Sequence, residues 1–520
     1  MIVNAPDTAI ISKSSEESSQ KHILLLAAFF SFCFLAACFR LASKPIWMDE
    51  VLAVWVVRLH SARDVVSALY HGSEFSPPTY HLLLHALATV AGSSYRVLRI
   101  PSILATLVSG LCVFALLRRY FGVRAAAFGL AFSLLGILSS FALEIRPYAL
   151  VVACFAVAVL LWDRLDGNRQ DLWRICLLTL CLALATALHF YAVLFVPCLA
   201  MMEALWSGHH RRLRFPVWLG FIVAGGLSLL WLPLIKALGR YNSGDTSSGN
   251  YYARPIPGRI MDTYASLFVS DKKQVLFLLV AVCLVAAFYA LNKAHSPIPA
   301  ALEPSQDRQK HSAINLYIIA FCAVAFPLLV FIFALVVTKT YNTRYCLIAC
   351  LGFALLTASA LSRIPAFRLI TAPLLLAGCV LVFFRSIPAG VPPNMPEIAE
   401  VLSHATEPYP IVVGEGLQYF QLEEGLPDGL KSRLVYVTAP AGAAIPDPTN
   451  ENQVKRWIPL RPDLKIVNAQ TFLARNPRFY LLHTSDSTDI LTGWLIRHNM
   501  IDKLDINSGG VWLFEAGSGK

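Results

Sequence analysis

The sequence predicts a polytopic α-helical membrane protein with a small α/β domain at its C-terminal end. Of the 520 residues, 57% are hydrophobic and 14% are charged, and the mean hydropathy is +0.59. Soluble globular proteins are far less apolar than this. Apolar windows of about 20 residues, long enough to cross a hydrocarbon core of ~30 Å, recur through the first three quarters of the chain.

The apolar windows predict about eleven transmembrane helices. They lie at 22–42, 97–117, 125–142, 147–162, 173–188, 190–206, 216–238, 274–292, 313–337, 345–362 and 368–385. Residues 1–21 are polar and lack the short apolar core and the cleavage site of a secretory signal. We therefore expect the first span to be retained and residues 1–21 to form a cytoplasmic tail.

Short basic loops predict the orientation, because Lys and Arg in short loops resist translocation. These loops lie at 118–124, 163–174, 209–215 and 363–368. An eleven-span count places them on the side of the N-terminus, which is therefore expected to be cytoplasmic. The long segments 43–96, 239–273 and 386–520 then face the extracytoplasmic side of the inner (plasma) membrane.

The net charge of +11 follows partly from this topology and partly from external Arg and Lys that suit anionic membrane lipids or phosphate. Nucleic acid is a poor candidate partner, because no basic domain with interleaved aromatic residues exists outside the apolar part of the chain.

The composition changes after Arg385. PAGVPPNMP is typical of a linker, and we expect an extracytoplasmic α/β domain beyond it. YPIVVG, SRLVYVT and RFYLLH have the pattern of buried strands, and KLDINSGGVWLFEA that of a hairpin turning at NSGG. EGLQYFQLEE and TDILTGWLIRHNM are predicted helices. This region contains no metal-ligand spacing, phosphate loop or nucleophile elbow.

Polar residues collect at the predicted outer ends of the spans. The stretches that carry them are KPIWMDEVLAVW with Asp49 and Glu50, SEFSPPTYH with Glu74, LEIRPYAL with Glu144 and Arg146, HFY with His189 and Tyr191, and TYNTRY with Arg344 and Tyr345. One topology, fixed by basic loops that exclude these residues, places them at a single surface. Such a set could transfer a group from a lipid phosphate, since a carboxylate can take a proton and Arg can hold phosphate.

Each stretch also has a purely structural interpretation. Asp49 could be the N-cap of an interfacial helix, with Glu50 in its first turn. The two prolines of SEFSPPTYH could only break the chain before a short helix, and Pro147 could be an ordinary helix-start proline. HFY resembles an aromatic belt, and Arg344 with Tyr345 could be an anchor pair at the membrane surface.

The charges within the predicted spans are few. Arg40, Lys236 and Glu203 lie near span ends, where long side chains can reach water. An ion-driven transporter would more often carry carboxylates or broken helices at the middle of the membrane.

The order of these motifs resembles the multi-span GT-C glycosyltransferases, in particular the branch of protein O-mannosyltransferases and the aminoarabinose transferases that modify lipid A. The resemblance runs through the DE pair, EFSPPTYHLLLHAL, YRVLRIPSILATLVSGLCVFALLRRYFG, LEIRPYALVV and HFYAVLF, over about residues 20–240, and more weakly through RY at 344–345. It implies transfer of a sugar from a polyprenyl-phosphate donor to a lipid, glycan or protein acceptor outside the cytoplasm. It also implies that residues 22–385 form the catalytic domain, without a metal or another cofactor.

The resemblance also implies roles for individual residues. Asp49 matches the family's catalytic aspartate and would be the general base, with Glu50 in support. The remaining matches would bind substrate, and they are Glu74, Glu144, Arg146, His189, Tyr191, Arg344 and Tyr345. The chain departs from many relatives at Ser76, where they carry a basic residue or histidine before the two prolines.

Two other functions stay open at this point. An oligosaccharyltransferase or ligase could move a preassembled glycan with a divalent metal bound by acidic groups. A lipid-linked sugar flippase or another transporter would need no catalytic carboxylate. Segment 239–273, rich in Gly and Ser, could close over substrates or be a disordered outer loop.

Overall fold

The computed structural model describes residues 6–165, 171–246, 251–268, 272–295, 313–384, 395–440, 449–484, 490–508 and 511–517. The chain forms two compact units. The first comprises Met1–Ala42, Leu98–Trp231 and Pro255–Ser386, and the second comprises Ser43–Val97, Leu232–Arg254 and Ile387–Lys520. The structure therefore groups the predicted outer loop 43–96 with the C-terminal region, whereas the sequence suggested a domain at 22–385 and a separate one after it.

The first unit consists of helices over its described residues. Their bounds are Pro6–Leu41, Tyr95–Leu135 (which begins in the second unit), Leu138–Phe141, Tyr148–Asp163, Leu172–Leu188, Phe195–His210, Phe215–Ser228, Gly258–Phe268, Lys272–His295, Ile314–Phe333, Ala349–Leu361 and Phe367–Phe383. Tighter 3₁₀ turns occur at Phe190–Leu194, Leu229–Trp231 and Thr343–Cys346, and a π-helical turn at Ala334–Thr338.

Five continuous helical segments are long and apolar enough to cross a membrane: Glu17–Leu41, Tyr95–Leu135, Phe190–His210, Phe215–Tyr241 and Ile314–Thr338. Five shorter apolar helices accompany them, at Tyr148–Asp163, Leu172–Leu188, Lys273–Leu284, Ala349–Leu361 and Phe367–Phe383. The chain is therefore a multi-pass membrane protein. The number of eleven spans and their orientation stay predictions.

The 41-residue segment Tyr95–Leu135 contains two predicted spans. The loop expected at 118–124 is reduced to one non-helical residue, Gly122, with φ 80° and ψ 179°. Glycine adopts this backbone conformation without the steric cost that a Cβ would bring. A kink thus replaces the predicted loop.

Small residues allow close helix packing in this unit, as is common between membrane helices. A Cβ atom added to Gly352 would lie 2.7 Å from the carbonyl oxygen of Ala320. Helices Ile314–Phe333 and Ala349–Leu361 therefore approach one another with almost no side chain between them at this point.

Glu203 does not reach water, contrary to the sequence-based interpretation. Its side chain is fully buried, and it accepts hydrogen bonds from Arg214 Nε at 3.0 Å and from Trp162 Nε1 at 2.8 Å. The guanidinium of Arg214 also lies 3.7 Å from the ring centroid of Trp206. A buried carboxylate is tolerated here because a guanidinium and an indole N–H satisfy it.

The second unit combines helices with a sheet. Its helices are Met48–Val57, Ala62–Tyr70, Pro78–Ala91, Leu232–Thr246, Met395–Ser403, Gly416–Gly425, Asp428–Lys431, Thr449–Trp457, Ala469–Arg475 and Ile490–Arg497. Segment 239–273, expected to be mobile or disordered, contains the end of helix Leu232–Thr246 and all of helix Gly258–Phe268. Most of the predicted linker PAGVPPNMP lies outside the described residues.

The sheet has six strands: β1 Ile411–Val413, β2 Leu434–Thr438, β3 Ile466–Asn468, β4 Arg478–Thr484, β5 Ile501–Ser508 and β6 Val511–Gly517. Their order is β3-β2-β1-β4-β6-β5, with parallel pairing from β3 to β4 and antiparallel pairing of β6 with both β4 and β5. The three predicted buried strands are confirmed as β1, β2 and β4. Residues 509 and 510, in the predicted hairpin turn, lie outside the described residues.

The carboxyl end of β1 leads directly into helix Gly416–Gly425. The Glu415 carboxylate accepts hydrogen bonds from the backbone N–H groups of Leu417 and Gln418, and from Asn450 Nδ2 at 2.7 Å. Doubly wound sheets often bind phosphate at such a helix start. In this protein the Glu415 carboxylate bonds the backbone N–H groups at the helix start, where a phosphate would bind.

Candidate active site

Asp49 and Glu50 lie in the first turn of helix Met48–Val57. The backbone N–H of Trp47 donates to Glu50 Oε2 at 3.1 Å, and Glu50 is fully buried. Asp49 is half-buried. The capping interpretation therefore applies to Glu50 and not to Asp49, so the two adjacent carboxylates have different environments.

The helix that carries them is enclosed by protein. Every residue from Glu50 to Val57 is buried, including Val51, Val54 and Trp55. The interfacial helix considered for this stretch would be buried on one face only. Burial on all sides fixes the position of Asp49 more firmly than an interfacial helix would.

Glu74 is paired with a residue that the sequence did not single out. Its Oε2 lies 2.7 Å from Nε2 of His81, and the two side chains are 5% and 0% exposed. Pro77 precedes a helix that begins at Pro78, so the two prolines do break the chain before a helix. The helix start brings His81 back to Glu74, seven residues earlier.

In the first unit, three aromatic residues from two separate segments lie together. The rings of Tyr191 and Tyr345 stack with centroids 4.2 Å apart, and the His189 ring lies 5.1 Å from that of Tyr345. The Tyr191 hydroxyl donates to the carbonyl oxygen of Thr340 and also bonds Thr338 Oγ1. His189, Tyr191 and Tyr345 thus form one cluster.

Two arginines flank a tyrosine beside this cluster. The guanidinium carbons of Arg146 and Arg344 lie 5.7 Å and 5.6 Å from the centroid of the Tyr148 ring. Arg146 Nη2 is 3.5 Å from the Tyr148 hydroxyl, and the ring of His189 is 5.4 Å from that of Tyr148. Guanidinium groups hold phosphate with paired hydrogen bonds, so these two arginines are candidates for binding an anion.

Sequence reasoning missed Tyr148, although it directly follows the motif residues Arg146 and Pro147. A tyrosine in an apolar helix resembles an ordinary packing residue, and only the fold shows that it contacts two arginines. The signal that could have found it is its position within LEIRPYAL.

Tyr148, Arg344 and the aromatic cluster line a small cleft, and Arg146 lies outside its lining. Its lining residues are Tyr148, Val151, Val152, His189, Tyr191, Ala192, Phe195, Arg344, Tyr345, Leu347 and Ile348. The cleft has a cationic and aromatic part next to aliphatic side chains. Such a combination suits a phosphate or a sugar attached to an apolar chain.

The predicted site residues fall in both units. Asp49, Glu50 and Glu74 belong to the second unit, and Glu144, Arg146, His189, Tyr191, Arg344 and Tyr345 belong to the first. Glu144 is half-buried and lies outside the cleft lining. That both sets serve one surface stays a prediction. Among the residues that the structure describes, no three His, Cys, Asp or Glu side chains are grouped to hold a metal ion.

The fold and these clusters define a multi-pass helical membrane protein with a cationic, aromatic cleft and a separate enclosed carboxylate helix. Residues 76–234 match the family model described as dolichyl-phosphate-mannose-protein mannosyltransferase. This match confirms the resemblance seen in the sequence over these residues. No curated protein matches the chain significantly.

Solved structures with a similar arrangement include ArnT from Cupriavidus metallidurans in the apo state, at 12% identity and a TM-score of 0.47, with 96% of this chain and 98% of that chain covered. The same protein bound to undecaprenyl phosphate matches at 11% identity and a TM-score of 0.43, covering 95% and 98%. An oligosaccharyltransferase from Archaeoglobus fulgidus, in complex with Zn and sulfate, matches at 12% identity and a TM-score of 0.44, covering 88% and 67%.

Proposed function

We propose that this chain is an integral-membrane glycosyltransferase that moves a sugar from a polyprenyl-phosphate donor to a lipid, glycan or protein acceptor on the extracytoplasmic face. The observation that carries this proposal is the pair Arg146 and Arg344 at the Tyr148 ring. Tyr148 and Arg146 belong to the stretch matched by the mannosyltransferase family model, residues 76–234.

In the proposed reaction, Asp49 takes the proton from an acceptor hydroxyl as its oxygen attacks the anomeric carbon. The bond between that carbon and the phosphate oxygen breaks, and the electron pair leaves with the polyprenyl phosphate. Arg146 and Arg344 stabilise the charge that develops on the leaving group. In-line attack of this kind inverts the anomeric configuration.

The cleft supports binding of the donor at two points. The stacked rings of Tyr191 and Tyr345 offer an aromatic surface beside the arginines, and aromatic surfaces suit the C–H faces of a sugar. The aliphatic lining at Val151, Val152 and Leu347 is suited to the first part of a prenyl chain. Burying that chain contributes about 25 cal/mol per Å² of apolar surface.

The fully buried Glu50 has a structural part in this proposal. Its hydrogen bond with the Trp47 N–H fixes the start of the helix on which Asp49 lies. A base must be held in place to act efficiently, because small displacements in an active site reduce rates strongly.

The test is a transfer assay with the purified full-length protein in lipid nanodiscs. Labelled polyprenyl-phosphate sugars are offered with lipid, glycan and protein fractions from the cell envelope. We expect label to move to one acceptor fraction and free polyprenyl phosphate to appear in equal amount. Binding of the donor without any transfer would contradict an enzyme and favour a flippase.

A second measurement identifies the substrates. Mass spectrometry of envelope lipids, glycans and proteins from a deletion strain should show one acceptor that has lost a sugar of defined mass. Retention of full activity in EDTA is expected for the proposed reaction, whereas loss restored by a divalent metal would favour a metal-dependent oligosaccharyltransferase or ligase.

A further inference from the structure

Glu424, in helix Gly416–Gly425 of the C-terminal region, bonds three side chains of the segment that carries Asp49. Its Oε2 accepts from Trp55 Nε1 at 2.9 Å. Its Oε1 accepts from Arg58 Nη1 at 2.5 Å and from the Tyr95 hydroxyl at 2.8 Å. All four residues belong to the second unit. One carboxylate thus connects both ends of segment 48–95, although it lies more than 300 residues further along the chain.

The hydrogen bonds of Glu424 are strengthened by the negative charge of its carboxylate. Burial alone would raise the pKa of the Glu424 carboxyl, but the hydrogen bonds from Trp55 and Tyr95 and the charge of Arg58 outweigh it, so that its pKa lies below its ordinary value. Glu424 is therefore ionised near neutral pH, and hydrogen bonds to an ionised group are stronger than those to a neutral one.

Other residues of the C-terminal region contact the same helix. Gln421 Nε2, one turn before Glu424, donates to the carbonyl oxygen of Ile46 at 3.1 Å. The Trp55 ring lies 4.9 Å from Phe420 and 5.2 Å from Trp457 between centroids, and the Arg461 guanidinium lies 4.6 Å from it. The C-terminal region therefore contacts helix Met48–Val57 and the residues on either side of it, from Ile46 to Arg58.

The loop that contains Pro77 and Pro78 (residues 73–78, the proline loop) also contacts the C-terminal region. Gln453 Nε2 donates to the carbonyl oxygen of Ser73 at 2.6 Å, next to Glu74. The Arg456 guanidinium lies 4.9 Å from the Phe75 ring and donates to the carbonyl oxygen of Tyr241 at 2.7 Å. Helix Gly416–Gly425 thus contacts helix Met48–Val57, and helix Thr449–Trp457 contacts both that helix and the proline loop.

We propose that the C-terminal α/β region is a positioning platform for the Asp49 helix, with Glu424 as its principal positioning residue. Glu424 acts through Trp55 and Arg58, which fix the helix whose first turn carries Asp49. The catalytic part of this inference rests on the proposed sugar transfer, whereas the holding of the helix does not.

The experiment compares Glu424→Gln with Asp428→Asn, a matched change from acid to amide at a fully exposed carboxylate of the same region. A glutamine amide keeps the shape and one acceptor oxygen but presents an NH₂ group toward Arg58 or Trp55, so at least one of the hydrogen bonds and the negative charge are lost. Hydrogen exchange of residues 46–57 and of β1 and β4 is measured in the full-length protein, together with kcat and the donor KM.

In Glu424→Gln we expect faster exchange in residues 46–57, unchanged exchange in β1 and β4, and a kcat reduced on the order of 10- to 100-fold with little change in the donor KM. Asp428→Asn should match the wild type. Combining Glu424→Gln with Trp55→Phe, which removes the indole N–H, should cost less than the sum of the two changes.

Three results would overturn the proposal. Unchanged exchange of residues 46–57 in Glu424→Gln would show that Glu424 does not hold the helix. Faster exchange with unchanged kcat would show that holding the helix does not serve catalysis, and strictly additive effects with Trp55→Phe would show that Glu424 does not act through Trp55. If the wild-type protein transfers no sugar from any donor, the proposed function fails, and the exchange measurement alone still decides whether the region holds the helix.

Discussion

The rings of Tyr191 and Tyr345 stack with centroids 4.2 Å and planes 20° apart. This contact joins the 3₁₀ turn Phe190–Leu194 to the turn Thr343–Cys346, which carries Arg344. Because the Tyr191 hydroxyl is also bonded at Thr338 and Thr340, the aromatic wall of the cleft is held from two sides. The stack therefore helps to hold the turn that carries Arg344.

Tyr345→Ala should weaken donor binding, because it removes the ring that packs on Tyr191 and His189. An aromatic pair is worth about 0.5–1.5 kcal/mol beyond its buried area, so we expect the donor KM to rise up to about tenfold. Tyr345→Phe keeps the ring and should stay close to the wild type. Equal effects of both changes would show that the hydroxyl, and not the stack, matters.

Arg344→Lys should reduce kcat/KM, although the charge is kept, since an ammonium lacks the paired N–H groups that bind a phosphate. We expect a loss on the order of 10-fold, and a larger one in Arg344→Ala. Arg363→Lys, at an exposed arginine bonded to Tyr317, is the matched control. Unaltered binding of free polyprenyl phosphate to Arg344→Ala would exclude the proposed phosphate contact.

Glu74→Leu and His81→Leu should each destabilise the protein, because each removes the hydrogen bond between these two buried side chains. The expected loss is about 1–3 kcal/mol of unfolding free energy, measured by thermal unfolding in nanodiscs. The double variant should lose less than the sum of the two. His71→Leu, at an exposed histidine, is the control, and simple additivity would show that the two residues are not coupled.

The stabilisation by Glu424 should depend on pH in a defined direction. Its folded-state pKa is below the ordinary value of 4.5, so its contribution is fully present above 4.5 and is lost as the pH falls through the lowered pKa. The groups facing it are Trp55, Arg58, Tyr95 and Arg461. The Tm difference between wild type and Glu424→Gln should be constant above pH 4.5 and shrink below it; a difference that grows in acid would contradict this.

The sequence predicted features that depend on local patterns. The apolar windows located the long helices, and the buried-strand patterns located β1, β2 and β4. Strand β3, Ile466–Asn468, was missed because its three residues, none of them buried, carry no periodic signal. The break at Gly122 was placed correctly but predicted as a loop, since composition does not distinguish a kink from a turn.

Long-range contacts explain most of what the sequence could not predict. Glu424 and Trp55 are 369 positions apart, and nothing in EGLQYFQLEE marks one of its carboxylates as a partner for a distant indole. Adjacent Asp49 and Glu50 also could not be told apart, because only the exact helix start decides which of them bonds the Trp47 N–H.

The most direct test of the central claim is the turnover number of Asp49→Asn in the nanodisc transfer assay, with the donor bound at saturation. Asp64→Asn, at an exposed carboxylate of the neighbouring helix Ala62–Tyr70, is the matched control. We predict that Asp49→Asn keeps the Tm and the donor affinity of the wild type and loses kcat by on the order of 10²- to 10⁴-fold, while Asp64→Asn stays active. Wild-type turnover in a folded Asp49→Asn variant would contradict the assignment of Asp49 as the base.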